Sequence, residues 1–100
     1  MIKSIPMKIG NMRKPQSFVV YPGVTDGRIK IQSDDCIASV NIETGEAKWA
    51  RNRGGAYFHH LSFGGNIANG TEIIPKDIVA QLMSAIPQKG DQIGAGVFIG

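Results

Sequence analysis

The sequence predicts an α+β domain. The expected architecture is a small, mostly antiparallel β-sheet or partly open barrel of five to six strands, with one helix at about residues 75–86 packed on it. Three observations predict it. Several segments alternate apolar and polar residues with a period of two. The pairs Pro22-Gly23 and Asp26-Gly27 are turn signals set between such segments. Late in the chain, Ile78, Val79, Leu82, Met83 and Ile86 recur at spacings of three, four and seven, the stripe of an amphipathic helix.

The first sixteen residues contain Lys3, Lys8, Arg13 and Lys14 and no acid. Ile5, Met7 and Ile9 alternate, and Pro6 allows only an edge strand or an ordered arm. Ser17–Tyr21 reads as a short apolar strand. Asp26-Gly27 can supply the positive φ angles of a hairpin turn into Arg28–Gln32. In that strand Ile29 and Ile31 face one side, and Arg28, Lys30 and Gln32 face the other. After Ser33-Asp34-Asp35, the strand Cys36–Glu43 sets Cys36, Ala38, Val40 and Ile42 on one face. Ile37, Ser39, Asn41 and Glu43 take the opposite, outward one. Glu43-Thr44-Gly45-Glu46 predicts a type I turn with Gly45 left-handed, in a hairpin with a bulge. The return strand Glu46–Arg51 brings Trp49 opposite Ala38 and Val40, with Lys48 on the far face; a one-residue slip would reverse this.

Ala56–Phe63 alternates again, and Gly64–Gly70 reads as a Gly- and Asn-rich loop. The helix over Pro75–Ile86 has Pro75 in its first turn, Asp77 near its positive end and Pro87 to stop it. The tail Ile93–Gly100 predicts one last strand. No internal repeat and no domain boundary interrupt the chain, so residues 1–100 form one domain.

The 100 residues are 42% apolar and 19% charged, a globular rather than a disordered composition. No apolar run reaches the roughly eighteen residues of a membrane span. MIKSIPMKIG has no signal-peptide core. The single cysteine, Cys36, allows no disulfide within these residues, so the expected compartment is cytoplasmic. The net charge of +3 is uneven. Residues 1–53 hold nine Lys/Arg against five Asp/Glu, and residues 54–100 hold two against three. The positive charge travels with the sheet.

Several residues invite chemistry that their spacing does not support. His59 and His60 are neighbours, so on a strand they point to opposite faces and cannot chelate one ion. Asp34-Asp35 sits at a turn, where Asp side chains cap backbone, and shows no second acid across a cleft. Gly94-Ala95-Gly96 and Gly54-Gly55 lack the following helix of a phosphate loop. Cys36 lies on the apolar face of its strand, where a thiol is inert. The expectation is a protein without catalytic residues, metal or cofactor.

What remains is a basic, aromatic-bearing stretch. Arg28, Lys30, Lys48, Arg51 and Arg53 could contact phosphates, and Phe58 and His60 could stack on unpaired bases. The plainer reading is a solvated sheet face whose cations guard an edge against aggregation. Two functions follow. The first is a non-enzymatic binder of nucleic acid, single strands favoured, since no basic helix is available to read a major groove. The second is a protein-interaction module, such as a small inhibitor, adaptor or homo-oligomer subunit, that uses exposed strand edges and the outward Ile37 and Phe58.

Overall fold

The computed structural model describes residues 4–10, 12–51, 68–87, 92–94 and 97–98. Its strands are β1 (Ile5–Met7), β2 (Gln16–Val20), β3 (Arg28–Gln32), β4 (Cys36–Asn41), β5 (Glu46–Arg51) and β6 (Ala68–Ile73). The helix α1 (Lys76–Ser84) follows, then β7 (Gln92–Gly94) and β8 (Val97–Phe98). Strands β1 to β6 form one sheet in chain order, every neighbour antiparallel, curled as a half-barrel. The α+β class and the helix therefore stand as the periodicity predicts.

Turn chemistry fixes the register. Asp26 (φ 53°) and Gly27 (φ 71°) are both left-handed, as a type I′ turn requires. Thr25 and Arg28 exchange both backbone hydrogen bonds across it at 3.0 Å. At the next hairpin Asn41 Oδ1 accepts from the Glu43 and Thr44 amides at 2.8 and 3.0 Å. Gly45 is left-handed at φ 79°, and its amide donates to the Asn41 carbonyl at 2.8 Å. The Gly45 carbonyl then accepts from the Ile74 amide at 2.8 Å. One turn thus ties the β4–β5 hairpin to the entry of α1.

The inner sheet face carries the core. Phe18, Val20, Ile29, Ile31, Cys36, Ala38, Val40, Ala47 and Trp49 pack there with Val79, Leu82 and Ala85 of the helix segment. Fully burying an Ile or Phe is worth roughly 1.5–3 kcal/mol, so this single layer dominates the stability. Ala38 pairs with Trp49 and Val40 with Ala47, the facing that alternation predicts. Helix α1 begins one residue later than its sequence signal, with Pro75 at the cap. Val79 and Leu82 are buried, while Met83 remains 37% exposed at the margin of the stripe. Burial pushes the Cys36 thiol up to about 12, so it stays protonated at neutral pH.

Two corrections concern the strands. Residues 68–70 belong to β6, not to a loop. β6 lies beside β5 with Trp49 opposite Gly70, and a Cβ on Gly70 would sit 3.0 Å from the Trp49 ring. A glycine that looks like a loop residue is the flat floor that an indole needs. The tail holds two short antiparallel strands, β7 and β8, in place of one. The expected strand Ala56–Phe63 lies outside the described residues. Pro6 does sit in β1, an edge strand among the described residues.

A third correction concerns Ile37. It lies on the outer face, yet it is fully buried, as is Ala50 directly opposite it on β5. It offers no apolar surface for a partner.

Candidate nucleic-acid interface

The outer face of the sheet is polar and basic at the end nearer the two hairpin turns. The register places Lys30 opposite Ser39, Ser39 opposite Lys48, and Lys48 opposite Thr71. These four residues form one continuous rung across β3, β4, β5 and β6. The rung carries two cations and no acid. Lys30 and Lys48 are exposed, and cations on one sheet face attract an anion lying across the strands.

Arg28 is on the same face but has a structural task. Its Nε donates to Ser39 Oγ at 3.0 Å, and its Nη2 donates to the Ser39 and Glu46 carbonyls at 3.1 and 3.2 Å. Glu46 Oε1 lies 3.5 Å away. The guanidinium therefore braces three strands, and Glu46 offsets its charge.

Tyr21 is a residue the sequence reading did not select. Its amide donates to the Lys30 carbonyl at 2.8 Å, and its hydroxyl donates to Gln32 Oε1. The ring is half-buried and lines an open notch of about 170 Å³ with Pro22, Gly23, Thr25, Arg28 and Lys30. Small-molecule pockets run to about 300–1,000 Å³, so the notch suits one inserted planar group rather than a whole ligand. The signal was present. Phe18 and Val20 are inner residues, so alternation sends Val19 and Tyr21 outward.

Arg51 does not join this group. It shares its strand parity with Trp49, on the last rung of β5, opposite Cys36. Its Nε and Nη2 donate to the two carboxylate oxygens of Asp35 at 3.3 and 2.6 Å. The Arg51 hydrogen bond holds the Asp35 carboxyl below its usual 3.8, and Asp35 in turn raises Arg51. Arg53, Phe58 and His60 lie outside the described residues. The predicted cations thus separate into an outer-face group, Arg28, Lys30 and Lys48, and Arg51 at the opposite end of the strands.

The Asp35–Arg51 pair makes a pH prediction. The folded carboxyl binds its proton less tightly than the unfolded one, so stability rises with pH through this group. Its contribution is complete above about 3.8 and disappears as pH falls through the lower folded value. Urea unfolding at about pH 6 and about pH 2.5 should show a larger loss for the wild type than for Asp35→Asn. Equal losses would remove the pair from the account of acid stability.

Among the described residues no three His, Cys, Asp or Glu side chains gather as a metal cluster, and no helix is long and apolar enough to cross a membrane. No family model, curated protein or solved structure matches the chain.

Proposed function

We propose that this is a small, non-enzymatic binding protein of the cytoplasm that uses its outer sheet face to hold single-stranded nucleic acid. The observation that carries the reading is the acid-free rung Lys30–Ser39–Lys48–Thr71, lying beside the Tyr21 notch. Two lysines would attract phosphates, and the tyrosine ring would stack on a base turned into the notch. A sheet presenting cations and a ring suits splayed bases better than the closed stack of a duplex.

The test is a salt series with a short oligothymidylate. Lys30→Ala with Lys48→Ala should lower the slope of log affinity against log salt by about 1.4, two single-strand phosphate contacts. Tyr21→Ala should weaken binding by about 1–3 kcal/mol. Retention of the wild-type slope by the lysine variant would sink the proposal.

A second reading rests on β6. It is an edge of the sheet among the described residues, and Ile73 on its outer side is 65% exposed. An edge strand with an apolar side chain can accept a strand from another protein or from a second copy. Light scattering distinguishes the two readings: a dimer that persists at high salt, with no retardation of single strands, favours this one.

A further inference from the structure

The end of the sheet at the β3–β4 turn, opposite the turns at Asp26-Gly27 and Gly45, holds a feature that the outer-face reading does not use. There β2 starts, β3 ends, β4 starts and β5 ends. Arg13, Lys14, Pro15, Gln16 and Arg51 line an open cleft of about 450 Å³. This is within the size range of small-molecule sites. One wall is fixed by hydrogen bonds: Ser33 Oγ donates to Gln16 Oε1, Gln16 also reaches Asp35, and Asp35 grips Arg51 through two nitrogens. The other wall is Arg13 and Lys14, both exposed and without an ion pair among the described residues. Among the described residues the cleft gathers three cations, one of them paired with Asp35.

We infer that this rim cleft binds a terminal phosphate group, carried either by a mononucleotide or by the end of a nucleic-acid strand. Arg13 and Lys14 would contact its oxygens, since a guanidinium fork and an ammonium point charge are the two side-chain groups best suited to phosphate. A terminal phosphate carries more charge than an internal diester, which suits a site with two cations in excess. Asp35 acts as a positioning residue: it sets the Arg51 guanidinium plane before any ligand arrives. The outer-face rung plays no part in this inference, and neither proposal needs the other.

The experiment titrates the full chain with adenosine monophosphate, with adenosine, and with an oligothymidylate bearing or lacking a terminal phosphate, all at one ionic strength. Adenosine monophosphate should bind and adenosine should not. Arg13→Ala with Lys14→Ala should weaken the mononucleotide at least tenfold, the loss of about one charge-assisted hydrogen bond. Lys76→Ala, on the helix and outside both sites, should leave it within about twofold, since residues without shared contacts act independently. Arg13, Lys14 and Lys76 are exposed, and an unchanged circular dichroism spectrum verifies the fold. A strand that gains affinity from its terminal phosphate, and loses that gain in the Arg13/Lys14 variant, identifies the strand end as the source. Indifference of the strand to its terminal phosphate, with the mononucleotide bound, identifies the small molecule. Equal binding of adenosine and its monophosphate, or an unchanged affinity in the Arg13/Lys14 variant, overturns the inference.

Discussion

Gly10→Ala should destabilise the protein by about 3 kcal/mol, read as a lower urea midpoint with an unchanged slope. Two effects add. Gly10 sits at φ 61°, a conformation that costs an alanine roughly 1–2 kcal/mol. A Cβ there would also lie within 2.6 Å of Cε2 and Cη2 of Trp49. The indole is itself buried, with Gly70 close against it, so it cannot yield cheaply. A displaced Gly10 would also strain its amide hydrogen bond to Glu72 Oε1, 3.2 Å long. Gly23→Ala is the control, because Gly23 has φ 86° but open space around it. It should cost only the conformational share, about 1 kcal/mol. Equal costs at the two positions would mean that Trp49 is not confined between the glycines.

Gly45→Ala should lower the thermal midpoint by on the order of 15 °C, the equivalent of about 3 kcal/mol in a domain of this size. Its φ of 79° is again left-handed, and the added methyl would land on the Ile74 carbonyl oxygen. That carbonyl belongs to backbone, so relief requires moving the β6–α1 junction away from the β4–β5 hairpin. The 2.8 Å bond from the Ile74 amide to the Gly45 carbonyl would be lost with it. Gly27→Ala separates the two contributions, since Gly27 has φ 71° and nothing near it. If Gly45→Ala and Gly27→Ala melt together, the hairpin does not anchor the helix entry.

The parts of the fold that were legible are those where one face is wet and the other dry. From β2 to β5, period-two alternation sorts Ile29, Ile31, Ala38, Val40 and Trp49 inward, and the coordinates agree. Asp26-Gly27 and Gly45 carried the turns because few residues tolerate positive φ. β6 was hidden because its sequence, ANGTEI, is shaped by a neighbour rather than by its own propensity. Gly70 is there for the indole of Trp49, a tertiary reason that local composition cannot carry.

The candidate site divides along the same line. Strand parity placed Arg28, Lys30 and Lys48 on one face. Arg51 was grouped with them by closeness in sequence, whereas the pleat assigns it with Trp49. The acid partners were invisible too. Arg28–Glu46 spans three strands, and Arg51–Asp35 joins the end of β5 to the residue before β4, so both depend on register. Ile37 was misjudged because alternation says which face a side chain takes, not whether that face is open at that rung.

The two margins of the sheet are unequal. β1 contributes three residues, and Pro6 among them has no amide hydrogen to give. β6 contributes six residues without a proline. Chains that polymerise end to end need a donor lip and an acceptor lip on every molecule. Among the described residues one lip carries a proline, so copies that met along β6 would favour a closed pair over a growing fibre.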